Sequence, residues 1–316
     1  MPASTDLRHL LGQPGPILAP GCYDCISALA IERAGFPAGF VSGAAVTASV
    51  LGYPDVGLQT MPEILNQVRN MATRTTIPLL VDVDTGYGNA LNVMRTVREF
   101  EAAGAGGIFF EDQSFPKRCG HFEGKTVIPV EEMVVKVKAA CAARRNRDFV
   151  IVARTDARAI HGLPEAIGRG RAYAAAGADV IFVEALLDQH EMEEVARSIA
   201  APLQANLNEG DKTPVLHFDV LHRLGFKIIS YSGLLQRTAM QGMASSLDTL
   251  RHEGSAVSLY PSQICSLVER SALLGLDRFY QLEEELYGPI VDSAKSWRGE
   301  LAERVWRRGT SDPIPV

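Results

Sequence analysis

The chain has 316 residues, of which 47% are hydrophobic and 22% are charged, and its formal net charge is -6. These values predict a folded globular protein with a sizeable core, and the acidic balance argues against a nucleic-acid partner. No apolar stretch reaches membrane-span length, the first residues lack a signal-peptide core, and the five cysteines form no disulfide framework. We therefore expect a soluble protein of a reducing compartment, cytoplasmic or in an organellar matrix.

Strand-like apolar stretches alternate along the chain with helix-like amphipathic ones. Continuous runs of Val, Ile, Leu and Phe are typical of parallel strands that are covered on both faces. The predicted strands are residues 17–20, 38–41, 78–82, 107–111, 149–153, 179–183, 202–205 and 227–231. The clearest helical patterns between them are residues 90–103, 130–144, 163–176 and 189–199.

Eight strands with intervening helices favour an α/β fold, a (β/α)8 TIM-type barrel. We expect residues 1–250 to form this barrel and residues 251–316 to form a helical extension that packs on, or is swapped with, a neighbouring subunit. The alternative is a doubly wound sheet, which the alternation of strands and helices does not exclude.

Polar residues follow nearly every predicted strand. In a barrel of parallel strands the carboxyl ends meet at one rim, where the loops after the strands carry the active site. One such residue alone is commonly a helix N-cap, but seven strands that end this way indicate a functional rim. The residues are Ser42 and Gly43, Asp82 and Asp84, Glu111 and Asp112, Arg154 with Thr155 and Asp156, Glu184, Asn206, and Tyr231 with Ser232.

The acidic residues of this rim predict a metal site. They are Asp82, Asp84 and Glu111, with Asp55 in an earlier loop. Carboxylates crowded in a buried site repel one another unless a cation or protons compensate them. Because the ligands are oxygens and no histidine pair has ligand spacing, Mg²⁺ or Mn²⁺ is favoured over zinc. The alternative is that Arg154 and Lys117 neutralise two of these carboxylates within the protein.

The segment after the fourth predicted strand places a thiol among cations. Lys117 and Arg118 precede Cys119, and His121 follows two residues later. Cationic neighbours lower a thiol pKa, so we expect Cys119 to be competent in acid–base chemistry near neutral pH. The alternative is a charged surface loop with an unused cysteine.

These motifs resemble those of the isocitrate lyase/phosphoenolpyruvate mutase superfamily, and the resemblance runs almost from end to end. The segments that carry it are residues 21–28, 41–44, 52–55, 82–88, 111–113 with 117–121, and 153–157. The resemblance implies a (β/α)8 barrel and a homotetramer with swapped C-terminal helices. It also implies Mg²⁺ bound directly by Asp82 and mostly through water by Asp55, Asp84 and Glu111, with Mn²⁺ as a substitute.

The resemblance also implies a small carboxylic acid as substrate and assigns roles to individual residues. The implied catalytic residues are Cys119, His121, Arg154 and Glu184. The implied substrate-binding residues are Tyr23, Ser42, Gly43, Ala44, Gly120, Asn206 and Ser232. In this scheme Cys119 protonates an enediolate carbon, while Arg154 and the amides of residues 42–44 hold the carboxylate of the oxo acid.

The cysteine loop favours the branch that cleaves carbon–carbon bonds, which contains the methylisocitrate and 2,3-dimethylmalate lyases and the oxaloacetate acetylhydrolases. We expect a lyase that acts on a small 2-hydroxy di- or tricarboxylic acid. Ser232 favours the alternative, oxaloacetate hydrolysis to oxalate and acetate, because most lyases of the family have proline there. Phe40 departs from the tyrosine usual in methylisocitrate lyases. A carbon–phosphorus enzyme and a non-catalytic binding barrel are the remaining alternatives.

Overall fold

A computed structural model describes residues 3–118, 124–210 and 212–287, with side chains from residue 6 onwards. The chain forms two compact units, Met1–Gly254 and Ser255–Val316. No helix among the described residues is long and apolar enough to cross a membrane. The four cysteines within the described ranges are unpaired thiols.

The first unit is built around eight parallel strands that close into a barrel in chain order. They are β1 (Ile17–Cys22), β2 (Gly39–Val41), β3 (Leu79–Asp82), β4 (Gly107–Glu111), β5 (Val150–Thr155), β6 (Val180–Val183), β7 (Leu203–Asn206) and β8 (Phe226–Tyr231). Pairing of Ile17 with Ile228 through Pro20 with Tyr231 joins the first strand to the last. This closure confirms the predicted (β/α)8 barrel and rules out the doubly wound sheet.

One helix precedes the first strand, and the others follow the strands around the barrel. They are α1 (Ala3–Gly12), α2 (Cys25–Arg33), α3 (Gly43–Leu51), α4 (Met61–Arg74), α5 (Ala90–Ala102), α6 (Val130–Ala143), α7 (Arg158–His161), α8 (Leu163–Ala175), α9 (Gln189–Ser198), α10 (Phe218–Leu224) and α11 (Leu234–Glu253). The second unit contains a short 3-10 helix, Val257–Leu259, then α12 (Leu267–Leu274) and helical residues 276–287.

Each predicted strand and helix is present, with ends displaced by at most two residues. The largest strand differences are at β1 and β5, which run on to Cys22 and Thr155. Asn206, expected just beyond the seventh strand, is its last residue. Side-chain alternation and apolar runs do not reveal where the last ladder hydrogen bond forms, and the neighbouring strand decides it.

The barrel unit has an inner and an outer core. Inside the barrel, Phe40, Phe109 and Phe182 pack with short aliphatic side chains, and Leu7 of α1 is buried against the same cluster. The outer core lies between strands and helices and is larger. Burial of both faces explains why the strands are continuous apolar runs. The polar groups are therefore concentrated at strand ends and in the loops that follow them.

Candidate active site

A cavity of about 410 Å³ opens at the carboxyl ends of the strands. Nine of the residues singled out in the sequence line it: Ser42, Ala44, Asp55, Asp82, Glu111, Arg154, Glu184, Asn206 and Ser232. They come from seven different strands or from the loops after them, as expected for a barrel active site. The rim that the sequence predicts is thus assembled in three dimensions.

The other candidate residues have different positions. Asp84 is buried behind the wall, and a Cβ atom on Gly43 would lie 3.2 Å from Asp82 Oδ2. Tyr23 is half-buried at the start of α2, where its backbone N–H donates to Ser27 Oγ, and it is not among the described residues of the wall. Cys119, Gly120 and His121 lie outside the described residues.

Lys117 contacts two of the predicted metal ligands. Its Nζ forms an ion pair with Asp55 Oδ1 and lies 2.6 Å from Asp84 Oδ1, and the side chain is 4% exposed. Burial alone would lower the pKa of Lys117, but Asp84 and Glu111 raise it well above its usual value. The ammonium therefore stays charged and compensates part of the acidic cluster, as the alternative interpretation of the sequence expected.

Asp82 and Glu111 are compensated less completely. Burial, together with the charge of Asp84, raises the pKa of Asp82 to about 7. Burial also raises the pKa of Glu111 well above its usual value, although the nearby Arg154 opposes this shift. Glu111 Oε1 is buried and has no hydrogen-bond partner among the described residues. An oxygen in this state costs free energy until a cation, a proton or a water molecule satisfies it.

The donor set fits a hard divalent cation by its chemistry. Every candidate ligand is a carboxylate oxygen, which Mg²⁺ and Mn²⁺ prefer, and Glu111 has a buried oxygen without a hydrogen-bond partner among the described residues. Within the described ranges, however, no three acidic, His or Cys side chains enclose an ion position by themselves. Lys117 contacts both Asp55 and Asp84, so these two would join an ion by turning from Lys117 or through water.

Arg154 is the principal cation of the cavity wall. Its Nε and Nη2 donate to the Asp156 carboxylate at 2.8 and 2.9 Å, and its Nη1 lies 3.0 Å from Glu184 Oε2. Glu111 Oε2 lies 3.3 Å from Nε. Although burial opposes it, the Arg154 guanidinium lowers the pKa of Asp156 to about 2. This bidentate pair fixes the plane of the guanidinium, which suits it to bind a planar carboxylate.

Three phenylalanines form the apolar floor beneath Arg154. Phe109 packs edge-on against Phe40, with 5.5 Å between ring centroids, and packs against Phe182 at 5.3 Å with the ring planes tilted by 42°. The Arg154 Cζ atom lies 5.8 Å from the Phe109 centroid and 5.6 Å from that of Phe182. These rings limit the depth of the cavity and exclude water from one side of the guanidinium, which strengthens its electrostatic interactions.

The start of α3 offers backbone donors to the same cavity. Ser42 is the N-cap, and its Oγ accepts a hydrogen bond from the N–H of Ala45. The first-turn N–H groups of Gly43 and Ala44 have no partner within the helix, as at any helix start. An anion placed there would meet both N–H groups and the positive end of the helix dipole.

Sequence reasoning missed the polar residues of the first turn of α11. Gln236 and Arg237 line the cavity, and so does Asn208, whose side chain is bonded to Ser232 Oγ and to the Gly233 N–H. The available signal was their position in the first turn after β8, because that is the region where barrel enzymes place functional residues.

Comparison with known proteins gives matches over most of the chain. The sequence model of the phosphoenolpyruvate phosphomutase family matches residues 7–251. A protein of Arabidopsis thaliana named carboxyvinyl-carboxyphosphonate phosphorylmutase, chloroplastic, is 41% identical over 283 residues, covering 88% of this chain and 83% of that protein. The 2,3-dimethylmalate lyase of Eubacterium barkeri is 40% identical over 283 residues, with 90% and 98% covered. The 2-methylisocitrate lyase of Aeropyrum pernix is 44% identical over 249 residues, with 79% and 80% covered.

Solved structures agree with these sequence matches. Oxaloacetate acetylhydrolase in complex with 3,3-difluorooxalacetate superimposes with a TM-score of 0.86 at 32% identity, covering 90% of this chain and 97% of that one. Phosphonopyruvate hydrolase in complex with oxalate and Mg²⁺ superimposes with a TM-score of 0.80 at 31% identity, with 90% and 98% covered. The closed barrel, its polar rim and these extended matches lead to one conclusion: the chain belongs to the phosphoenolpyruvate mutase/isocitrate lyase superfamily.

Proposed function

We propose that this protein is a carbon–carbon bond lyase that depends on Mg²⁺ or Mn²⁺. Its substrate would be a small 2-hydroxy di- or tricarboxylic acid of the 2-methylisocitrate or 2,3-dimethylmalate type, cleaved to a 2-oxo acid and a carboxylate. The observation that carries this proposal is the position of Arg154, fixed by Asp156 at the wall of a cavity that also contains Asp82 and Glu111. This arrangement suits a carboxylic acid that is bound both by the Arg154 guanidinium and by a metal ion held in the acidic cluster.

The metal would be held by four carboxylates. Following the family resemblance, Asp82 would bind it directly, and Asp55, Asp84 and Glu111 mostly through water. When bound, the ion supplies positive charge that stabilises the oxygens of the oxo-acid product. Glu111 Oε1, buried without a hydrogen-bond partner among the described residues, supports this assignment.

The protein's own groups would orient the acid. Arg154 and the first-turn N–H groups of Gly43 and Ala44 would hold the carboxylate of the nascent oxo acid, because Arg154 and Ala44 line the cavity and the first N–H groups of α3 have no partner within the helix. Asn206 would bind the second carboxylate. Its Oδ1 accepts hydrogen bonds from the Ser232 N–H and from Ser230 Oγ, both at 3.2 Å, and this leaves its amide NH₂ group to act as the donor.

Proton transfer is assigned to the cysteine loop. Cys119 would protonate the carbon released by bond cleavage, and His121 and Glu184 would maintain the supply of protons. Glu184 lines the cavity and pairs with Arg154. The presence of this thiol also argues against a non-catalytic barrel, because binding alone needs no proton donor. By the family resemblance it argues against a carbon–phosphorus enzyme, because the phosphonate mutases and hydrolases of the family typically lack this cysteine.

Substrate screening tests the proposal. Purified protein with Mg²⁺ would be offered 2-methylisocitrate, 2,3-dimethylmalate and oxaloacetate side by side, and release of a 2-oxo acid would be followed with a coupled dehydrogenase. We expect cleavage of a 2-hydroxy acid that stops in excess chelator and returns with Mg²⁺ or Mn²⁺. Full turnover in excess chelator would contradict the proposed metal requirement. Absence of oxo-acid release from every 2-hydroxy acid tested would contradict the proposed lyase activity.

Oxaloacetate hydrolysis is a second candidate, which Ser232 favours. Its hydroxyl lies in the cavity wall and is bonded to Asn208 Nδ2 at 3.3 Å. A hydroxyl there could bind the hydrated 2-carbon of oxaloacetate, and an oxaloacetate acetylhydrolase is among the similar solved structures.

Replacement of Ser232 discriminates the two candidates. Ser232→Ala is the cleaner variant, because proline would also remove the Ser232 N–H that donates to Asn206. If hydrolysis is the activity, we expect Ser232→Ala to lower oxaloacetate cleavage roughly tenfold to hundredfold, the scale of a lost hydrogen bond of about 1–3 kcal/mol at the reacting carbon. Cleavage of a 2-hydroxy acid should fall much less. Equal losses of oxaloacetate cleavage and of 2-hydroxy acid cleavage would show that Ser232 acts only through packing in the barrel, and the hydrolase candidate would lose its support.

The proposal extends to assembly and location. We propose a homotetramer in which residues 251–316 pack on, or are swapped with, a neighbouring subunit, and a cytoplasmic protein, with an organellar matrix as the alternative. Light scattering coupled to size-exclusion chromatography tests the assembly, because a monomeric mass would contradict it.

A further inference from the structure

A buried polar cluster lies behind the cavity, at the ends of two adjacent strands. Asp112 follows β4 and Asp156 follows β5, while Arg169 and Tyr173 lie one turn apart on α8. Asp112, Asp156 and Tyr173 have no exposed surface, and Arg169 is 5% exposed. None of the four is among the described residues that line the cavity. Their polarity therefore needs an explanation other than direct contact with a substrate.

Within the cluster, the Asp112 carboxylate is shared between α8 and β5. Its Oδ2 accepts hydrogen bonds from Tyr173 OH at 2.7 Å and from Arg169 Nη1 at 3.1 Å. Arg169 Nη1 also lies 3.3 Å from Tyr173 OH, which closes a triangle. The other oxygen, Oδ1, accepts from the backbone N–H of Asp156 at 2.9 Å. Tyr173 and Arg169 thus orient a carboxylate that in turn holds the backbone of Asp156.

Asp156 passes this constraint to the cavity. Its side chain accepts the Nε and Nη2 hydrogen bonds of Arg154, which turns the remaining Nη1 towards Glu184. Because a bidentate pair has little rotational freedom, a displaced Asp156 backbone would tilt the guanidinium plane. Only two links, Asp112 and Asp156, separate Tyr173 from Arg154.

The same cluster holds the segment that follows the cysteine motif. Arg169 Nη1 donates to the Ile128 carbonyl at 2.9 Å, and the Ile128 N–H donates to the Asp112 carbonyl at 2.9 Å. Lys125 Nζ lies 3.0 Å from Asp156 Oδ1. Residues 124–129 are therefore anchored to the same two aspartates as Arg154.

We propose that Arg169 and Tyr173 are positioning residues that act through Asp112. They set the orientation of the Arg154 guanidinium and hold residues 124–129 in place. Neither residue touches the substrate, so both affect how firmly Arg154 binds the substrate carboxylate and take no direct part in bond cleavage or proton transfer. The substrate part of this statement rests on the proposed function, whereas the orientation of Arg154 does not.

Tyr173→Phe is the primary test, because it deletes one hydroxyl and keeps the buried ring. Two readouts report on Arg154 without turnover: the exchange rate of its Nε–H in isotope-labelled protein, assigned with Arg154→Lys, and the dissociation constant of oxalate in the presence of Mg²⁺. We expect both to rise roughly threefold to tenfold, the scale of one lost hydrogen bond. Arg169→Lys, which keeps the charge but loses the planar fork, should change both in the same direction.

Ile167→Val provides the matched control. Ile167 lies on the same helix and is buried, and the substitution removes one methyl group without changing a polar contact. It should lower the melting temperature yet leave the Arg154 exchange rate and the oxalate affinity within about twofold, since only packing is lost. Unchanged Arg154 exchange in Tyr173→Phe and Arg169→Lys, or an equal change in Ile167→Val, would overturn the proposal. Failure of oxalate to bind the unaltered protein would count against the proposed function alone, because the exchange readout still decides the role of the cluster.

Discussion

Asp156 has two cationic partners inside the protein, Arg154 and Lys125. The carboxylate is fully buried, and with both partners bonded the cost of its desolvation is offset. A buried carboxylate in this state is not needed for contact with substrate, yet the orientation of a binding group depends on it. Its importance is therefore measurable as stability as well as activity.

We expect Asp156→Asn to destabilise the protein by roughly 3–5 kcal/mol at pH 7, because it removes the buried anion that both Arg154 and Lys125 contact. The effect should depend on pH. The pKa of Asp156 is about 2 in the folded protein against an ordinary 3.8, so the ionised group contributes stability above about pH 4 that is lost as the pH falls towards 2. This linked part amounts to about 2 kcal/mol.

Urea unfolding of the two proteins at pH 7, 5, 4 and 3 would measure the difference. The gap in unfolding free energy should be constant between pH 7 and 5 and should narrow below about pH 4. A gap that is the same at pH 7 and pH 3 would show that folding does not lower the pKa of Asp156. Glu165→Gln, at the exposed partner of Arg169, is a control for general loss of a carboxylate.

Cys119 carries a second prediction at the residue scale, which rests on the sequence and the family resemblance. If the thiol protonates the released carbon, Cys119→Ser should bind substrate with little change and lose roughly two orders of magnitude or more in turnover, the usual scale for a general acid. Turnover numbers and oxalate affinity of the two proteins would be compared. Near-normal turnover in the variant would remove Cys119 from the mechanism.

At the scale of secondary-structure elements, the start of α3 couples helix geometry to the acidic cluster. Gly43 is the first residue of the helix, and a Cβ atom there would lie 3.2 Å from Asp82 Oδ2 and 3.5 Å from Asp84 Oδ1. Glycine at this position therefore avoids a tight contact with the Asp82 carboxylate, whereas its backbone angle is an ordinary one. The space left at the start of α3 therefore allows the Asp82 carboxylate, at the end of β3, to take its observed position.

We expect Gly43→Ala to weaken metal binding more than it weakens folding. The methyl group would displace the Asp82 carboxylate by a few tenths of an ångström, whereas alanine is otherwise favourable in a helix by up to about 1 kcal/mol. Calorimetric titration with Mn²⁺ and thermal unfolding without metal would separate the two effects. Gly168→Ala, on α8 with open space around it, is the matched control. Unchanged Mn²⁺ affinity in Gly43→Ala would contradict the assigned position of Asp82 as a ligand.

Gly21 lies where the first and last strands of the barrel meet, and it is constrained by the backbone of a neighbouring segment. A Cβ atom on Gly21 would collide with the backbone carbonyl of Ser232, where β1 meets the segment after β8. The obstacle is backbone and not a flexible side chain, so it cannot move aside. This contact explains why glycine is needed at position 21, near the end of the first strand and next to a residue of the cavity wall.

At the scale of the whole molecule, the barrel could be predicted because its signals repeat. Apolar runs, and glycine at positive φ after helices at Gly35, Gly104 and Gly177, recur around the fold and reinforce one another. The cavity wall was also largely predictable, since strand ends converge in any such barrel. Contacts that depend on side-chain direction were not: the sequence does not show that Lys117 lies between Asp55 and Asp84, or that Tyr23 lies off the described wall.

The acidic cluster predicts how the whole molecule responds to metal. Binding of a ligand to the folded state alone raises the free energy of unfolding by RT ln(1 + [L]/Kd), or about 2.7 kcal/mol at one hundred times Kd. We therefore expect saturating Mg²⁺ or Mn²⁺ to raise the melting temperature by several degrees, and Asp82→Asn to abolish the rise.

Lys117→Met tests the same cluster from the other side. Without metal it should melt at a lower temperature than the unaltered protein, because Asp55 and Asp84 lose their buried counter-charge. On addition of metal, its melting temperature should rise by more than that of the unaltered protein. Differential scanning calorimetry with and without chelator would measure all three proteins. An equal rise in Asp82→Asn would place the ion elsewhere, and an unchanged gain in Lys117→Met would show that the ammonium and the metal do not compete for the same two carboxylates.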